Sequence, residues 1–90
     1  MFTWLNKQGV KSDLGFEVQR TGRFSAEYRE GLKRITLDVE SGGPVPGLSI
    51  SADAFLRWDG SSEVNAPEEQ QRLLKNFKDA LEFEGLKLYL

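Results

Sequence analysis

The sequence predicts an α+β fold: a small antiparallel β-sheet of about five strands, with one long helix from the C-terminal half packed on one face. Three observations lead to this prediction. The chain has 90 residues, the length of one domain, so we expect a single domain over residues 1–90. Apolar and polar residues alternate between residues 16 and 40, as in half-buried strands. Later in the chain, apolar residues recur at helical spacing.

The predicted sheet begins with three alternating segments, which read "GFEVQRT", "FSAEYRE" and "RITLDVE". Their inward-facing sets start at Phe16, Phe24 and Ile35. Gly22 and Gly31 separate the segments, at positions where a tight reversal favours glycine. Short connections join antiparallel neighbours, so the three segments form a meander. The apolar N-terminal segment "FTWL" is expected to add a strand or a packed arm.

The middle of the chain is expected to contain three successive elements: a loop, a short strand and a short helix. Residues 41–47, "SGGPVPG", are predicted to form a loop, because their prolines and glycines exclude a strand interior or a helix. The following "LSIS" is predicted to be a short strand with Leu48 and Ile50 on one face. The segment "SADAFLRW" has a different period, and we predict a short helix over about residues 52–57.

The long helix is predicted over residues 66–84. Asn65 would be its N-cap, Pro67 would lie in its first turn, and Gly85 would end it. Its apolar stripe consists of Leu73, Leu74, Phe77, Ala80 and Leu81. Its opposite face carries i,i+4 pairs of opposite charge, which indicates a solvated surface; they are Glu68–Arg72, Lys75–Asp79 and Lys78–Glu82. The C-terminal "LKLYL" is predicted to be a final strand.

Composition excludes several kinds of chemistry. The chain has no histidine, so it lacks the commonest general base and the usual zinc ligand. It has no cysteine either, which excludes disulfides and thiolate chemistry. No segment approaches about 18 apolar residues, and "MFTWLNKQGVKSD" lacks the pattern of a secretory signal. We therefore expect a cytoplasmic protein with no membrane contact, no cofactor, no metal and no enzymatic activity.

The segment "LRWDGSSEVNAPEEQ" contains the main candidate site. Residues 59–70 include Asp59, Glu63, Glu68 and Glu69 but no lysine or arginine. Trp58 precedes them and has two interpretations. Tryptophan is enriched at binding hot spots, but an aromatic residue three positions earlier also favours packing. We predict that Trp58 is mostly buried against that residue and the long helix, and that the acidic loop after it is the best candidate binding surface.

Asp38 and Glu40 are secondary candidates. They lie two apart on a predicted strand, so both project from the same face, about 7 Å apart. That spacing lies in the range of the paired carboxylates of glycoside hydrolases. The solvent face of a half-buried strand predicts the same pair of acids without any function.

Nucleic-acid binding is an alternative function considered for the basic residues 1–36. Residues 1–36 hold seven Lys/Arg against four acids, whereas residues 53–84 hold eight acids against four bases. Arg20, Arg23 and Arg29 lie near aromatic residues, a combination that can bind single strands. The aromatic residues are expected to face inward, however, and the pI of about 5.1 argues against nucleic-acid binding.

The stretch "RITLDVESGGPVPGLSISADAFLRWDGSSEVNAPEEQQRLLKNFKDALEFEGLKLYL" resembles the pattern of Imm74-type immunity proteins of bacterial polymorphic toxin systems. Its elements are a strand ending at Glu40, a Pro/Gly connection, a strand and the pair Trp58–Asp59, a helix ending "LEFEG", and a last strand. The resemblance covers about residues 33–90. It implies a non-catalytic protein that binds and blocks a toxin domain made by the same cell. The alternatives are a small ligand-binding or nucleic-acid-binding α+β domain and, ranked below these, a carboxylate-based enzyme.

Overall fold

The computed structural model describes residues 1–41, 47–51 and 53–89. Over these ranges the fold is α+β, as predicted, with five strands in one antiparallel sheet and one long helix. The strands of this sheet are β1 (Phe2–Asn6), β2 (Gly9–Ser12), β3 (Phe16–Gly22), β4 (Ser25–Glu30) and β5 (Lys33–Asp38).

The five-stranded sheet follows the chain, because each strand pairs antiparallel with the next. The predicted meander of β3, β4 and β5 is confirmed, and so is a strand at "FTWL", which forms β1. Gly31 takes a φ of 63° in the two-residue turn between β4 and β5. The sequence analysis missed β2, since its four residues are too few for alternation to stand out.

The inner face of this sheet forms the core, with Val10, Val18, Ala26 and Tyr28 fully buried. The prediction that Phe24 faces inward is wrong. It lies in the turn before β4, where strand alternation does not apply, and it is 60% exposed.

A second sheet contains β6 (Glu40–Ser41), β7 (Gly47–Ser49) and β8 (Lys87–Tyr89). The predicted strands near "LSIS" and "LKLYL" are therefore confirmed, but β7 pairs parallel with β8 and does not join the main sheet. Gly47 permits this pairing, because a Cβ there would lie 2.3 Å from the Lys87 carbonyl oxygen. Of the predicted loop over 41–47, Ser41 ends β6 and Gly47 begins β7. Residues 42–46 lie outside the described ranges.

The helix α1 (Pro67–Phe83) matches the predicted helix to within one residue at each end. It packs across the inner face of the main sheet and buries Leu73, Phe77, Ala80 and Leu81 completely, while Leu74 is half-buried. No helix among the described residues has both the length and the apolar content to cross a membrane.

The sequence predicted the C-terminal end of α1 correctly but not the residue that caps its N-terminal end. Gly85, with φ of 82°, ends the helix as expected: its N–H bonds to the Glu82 carbonyl (3.0 Å), and that of Leu86 to the Leu81 carbonyl (2.8 Å). The predicted N-cap is wrong. Ala66 occupies that position without a side-chain bond, and Asn65 hydrogen-bonds elsewhere.

The short helix predicted over residues 52–57 is also wrong where the structure describes the segment. Residues 53–57 form turns and a bend. Their bonds are of the i→i+3 kind, from Ala54 to the Ser51 carbonyl and from Leu56 to the Asp53 carbonyl. The carbonyls of Phe55 and Leu56 accept hydrogen bonds from Asn65, which tie the end of this segment to the residue before the N-cap of α1. Ala52 lies outside the described residues.

Candidate protein-binding groove

A groove of about 600 Å³ lies between the β4–β5 hairpin and the loop that leads into α1. The hairpin contributes Leu32 and Lys33 to its lining. The loop contributes Trp58 and most residues up to Ala66, and the first turns of α1 contribute Glu69. We call this the Trp58 groove. It brings together four of the five partner-binding residues that the sequence analysis proposed; they are Trp58, Asp59, Glu63 and Glu69.

Trp58 is half-buried and serves both the core and the groove. Its ring lies 6.1 Å from the ring of Tyr28, and the Lys33 Nζ lies 5.6 Å from the Trp58 ring centroid. The prediction of a mostly buried Trp58 is therefore only partly right. Phe55, expected as its packing partner, places its ring between those of Tyr28 and Phe77, at 5.7 Å from each.

A polar network beside Trp58 connects the sheet to α1. The Tyr28 hydroxyl donates to Glu30 (2.8 Å) and accepts from Asn76 Nδ2 (3.0 Å). Arg72 donates to both oxygens of Glu30, at 3.0 and 2.9 Å, and also to Glu69 (2.5 Å). The carboxylate of Glu69 is therefore held at the groove by an arginine that is itself fixed to β4.

Two pKa values reflect this network. Burial raises the pKa of Tyr28 above its ordinary value, so the phenol remains a hydrogen-bond donor. Burial also acts to raise the pKa of Glu30, but hydrogen bonds from Arg72 and Tyr28 outweigh it and hold that pKa below its ordinary value. Glu30 is thus a stable anion that ties α1 to β4 at physiological pH.

Asp59 fastens the start of the loop to the free edge of β5. Its carboxylate accepts from the Thr36 N–H (3.2 and 3.1 Å) and from the Thr36 hydroxyl (2.6 Å). Its own N–H donates to the Arg34 carbonyl (2.8 Å), and its carboxylate lies 4.0 Å from Arg34 Nε. Asp59 was predicted to bind a partner. The structure commits its carboxylate to positioning Trp58 and the loop.

Asn65 fastens the other end of the loop. Its N–H donates to the Leu56 carbonyl (2.7 Å), and its side-chain amide donates to the Phe55 carbonyl (3.0 Å). Its own carbonyl accepts from Gln70 Nε2 (2.8 Å). Because both ends are hydrogen-bonded to the body of the protein, the intervening residues are presented in a defined conformation.

The acidic character of the loop is weaker than its sequence indicates. Three basic side chains come to this region from other segments: Arg34 lies beside Asp59, Arg72 bonds Glu69, and Lys33 lies over the Trp58 ring. The predicted Glu68–Arg72 pair does not form, because Arg72 bonds Glu30 and Glu69 instead. The pairs Lys75–Asp79 (2.9 Å) and Lys78–Glu82 (3.9 Å) are present as predicted.

The four acids within residues 59–70 therefore have different roles: Asp59 and Glu63 lie in the loop, and Glu68 and Glu69 lie in the first turn of α1. Glu63 is exposed at the groove, and its carboxylate forms no ion pair with the described part of the chain. Glu68 is exposed but does not line the groove. Asp59 and Glu69 are engaged by Thr36 and Arg72.

Two apolar residues of the groove were missed by the sequence analysis. Leu32 is fully exposed, and Val64 is 55% exposed. Leu32 could have been found, because a large aliphatic residue in a two-residue turn after Gly31 has no core to enter. Val64 gives no comparable signal, since it reaches the groove only through the fold of the loop.

The secondary candidates lie apart from the Trp58 groove. Asp38 and Glu40 line one pocket of about 320 Å³ with Ser49, Ile50 and Ser51. The prediction that they lie on one strand is wrong, because Asp38 ends β5 in the main sheet and Glu40 begins β6 in the second sheet. No cluster of three or more metal-ligating side chains is present in the described part of the chain.

The three arginines proposed for nucleic acid have separate partners. Arg20 bonds Glu84 at 3.3 Å, Arg29 bonds Glu27, and Arg23 lies 5.5 Å from the ring of Phe24. Two of the three positive charges are therefore paired within the chain.

Comparison with protein-family models, curated proteins and solved structures finds no match for this chain. The resemblance to Imm74-type immunity proteins therefore rests on its sequence pattern alone.

Proposed function

We propose that this chain is a non-catalytic immunity protein that binds and neutralises a cognate toxin domain in the cytoplasm of the producing bacterium. The binding surface is the Trp58 groove. One observation supports this most: a half-buried tryptophan lies beside two exposed aliphatic residues, Leu32 and Val64, on segments held by hydrogen bonds. Tryptophan is enriched at binding hot spots, and apolar contacts around it exclude water from the interface.

The fixed ends of the loop favour tight binding. A loop that is ordered before the encounter loses less conformational entropy when a partner binds, so more of the contact energy appears as affinity. Asp59 and Asn65 supply that order here.

The charges of the groove favour a partner with a basic and apolar contact surface. Of the three acids that line the groove, Asp59 and Glu69 form ion pairs with the described residues and Glu63 does not, so Glu63 is available to a lysine or arginine of the toxin domain. Nuclease-type toxins with basic clefts have this chemistry. The single lysine of the groove, Lys33, lies over Trp58 and can move aside as a flexible side chain.

The test measures affinity for the toxin domain encoded beside this gene, by surface plasmon resonance. We expect Leu32→Ser and Val64→Ser each to weaken binding by about tenfold or more, because each removes an apolar contact at the centre of the interface. Leu14→Ser is the matched control. Leu14 is also an exposed leucine next to a turn glycine, but it lies outside the groove.

Parent-like affinity in both groove variants would remove this surface from the interface. If the folded parent does not bind the neighbouring toxin domain at all, the proposal of an immunity protein is contradicted.

A further inference from the structure

The two edges of the main sheet are protected to different degrees. At the β5 edge, Asp59 bonds the outward N–H of Thr36 and the outward carbonyl of Arg34. At the β1 edge, no hydrogen bond from the described residues reaches the outward backbone groups. An open edge of this kind is a template for another strand.

The direction of the free groups on β1 follows from its pairing with β2. The Asp13 N–H donates to the Met1 carbonyl (3.1 Å), which makes that pair a hydrogen-bonded one. Hydrogen-bonded and non-hydrogen-bonded pairs alternate along an antiparallel ladder, so Thr3 bonds Lys11 within the sheet. Phe2 and Trp4 therefore direct their N–H and C=O groups towards the open edge.

The side chains of β1 do not oppose pairing. The strand "FTWLN" contains no charged residue and no proline, the residues that commonly block edges. A bulge between Trp4 and Asn6 limits the regular part to Phe2–Trp4. An apolar surface borders that part, because Phe83 of α1 contacts the rings of Phe2 (5.4 Å) and Trp4 (5.6 Å) while remaining 42% exposed.

We propose that a second copy of this chain pairs antiparallel with β1 about a two-fold axis at Thr3. In that register Phe2 of each copy lies opposite Trp4 of the other, and their outward N–H and C=O groups exchange hydrogen bonds. The rings of Phe2 and Trp4 from both copies meet on the helix side, next to each Phe83. Thr3 faces Thr3 on the opposite side of the sheet.

Charge favours a second copy over a charged partner strand. Thr3 of β1 is paired with Lys11 of β2, and Lys11 is paired with Glu17 of β3, so these three side chains lie side by side on one face of the sheet. The two Lys11 side chains would be three strand spacings apart, about 14 Å, which exceeds the Debye length of about 8 Å at physiological salt. A strand carrying lysine or glutamate would instead place a charge beside the aromatic rings.

The register can be trapped in a chain that has no natural cysteine. Thr3 faces its own copy as a non-hydrogen-bonded pair, with Cα atoms about 4.5 Å apart, so oxidised Thr3→Cys is expected to form a covalent dimer. Leu5→Cys is the control on the same strand. Its two copies would be about 13 Å apart along the strands, too far for a disulfide. Equal cross-linking of the two variants would overturn the proposed register.

Sedimentation velocity tests for the non-covalent dimer of the parent chain. An interface of three residues per strand falls below about 1,200 Å², the lower limit of standard-size interfaces, so we expect a monomer–dimer shift only between about 10 μM and 1 mM. Thr3→Glu should abolish the shift, because it places two carboxylates opposite each other at the axis. It should leave the melting temperature unchanged, because within its own sheet the new carboxylate faces Lys11.

A parent that stays monomeric up to 1 mM would overturn the proposal, and so would a Thr3→Glu variant that dimerises as the parent does. If a different partner occupies the β1 edge, the parent chain on its own stays monomeric up to 1 mM, and the proposed dimer is then overturned.

Discussion

Glu84 is the residue whose carboxyl group is least compatible with its surroundings. Its side chain is 0% exposed, and only one of its oxygens bonds Arg20. The other oxygen and Arg20 Nε are buried without a hydrogen-bond partner among the described residues. Burial raises the pKa of Glu84, and the opposing attraction of Arg20 does not cancel this effect.

This pKa shift predicts a pH-dependent effect of Glu84→Gln. A carboxyl group whose folded-state pKa is raised binds its proton more tightly in the folded chain, so it destabilises the fold as pH rises from its ordinary value of 4.5. We expect Glu84→Gln to melt at a higher temperature than the parent at pH 7 and at nearly the same temperature at pH 4. Thermal unfolding at both pH values measures this. A melting difference that does not change with pH would contradict the assignment.

Asp59 and Glu63 look alike in the sequence but differ in the fold. We expect Asp59→Ala to lower the free energy of unfolding by about 1–3 kcal/mol, because the variant loses the bonds to Thr36. We expect Glu63→Gln to change it by less than about 0.5 kcal/mol, because that side chain is exposed. Urea unfolding of the two variants measures the difference, and equal stabilities would show that Asp59 does not anchor the loop.

The difference between these two acids marks the limit of sequence analysis at the scale of the residue. Composition could indicate an acidic loop, but it could not show that Thr36, 23 positions earlier, takes up one of its carboxylates. The same holds for Glu69, whose partner Arg72 was expected to pair with Glu68.

At the scale of the element, α1 was the most predictable part of the fold, because its apolar stripe keeps helical spacing from Leu73 to Leu81 and Gly85 gives a clear end. The segment over 53–57 was not predictable, since Asn65, a residue outside the segment, holds its end through hydrogen bonds to the carbonyls of Phe55 and Leu56. Local pattern is reliable where an element makes its own hydrogen bonds, and it fails where a distant residue supplies them.

The central packing contact of α1 provides a test of the element. Phe77 is fully buried, and its ring meets that of Phe55 at 5.7 Å. We expect Phe77→Ala to cost about 3–5 kcal/mol of unfolding free energy, a large part of the stability of a small domain. Lys78→Ala, on the exposed face, should change it by less than about 0.5 kcal/mol. Calorimetric curves of the two variants that coincide would contradict the proposed packing.

At the scale of the whole molecule, the antiparallel sheet was predictable because its strands follow one another through short turns. The parallel pair of β7 and β8 was not, because 37 residues and the whole of α1 separate those strands. The Trp58 groove was not predictable for the same reason, because segments that are distant in the sequence form it. It forms where the β4–β5 hairpin, the loop after Trp58 and the start of α1 meet, so only its acidic segment was visible in the sequence.

A growth assay tests the proposal that the Trp58 groove neutralises a toxin domain. The neighbouring toxin domain is expressed in cells together with the parent, with Leu14→Ser, or with the double variant Leu32→Ser/Val64→Ser. We predict that the parent and Leu14→Ser restore growth, whereas the double variant, present at equal soluble levels, does not. Full protection by the double variant would contradict the role of the Trp58 groove, and no protection by the parent would contradict the proposed immunity function.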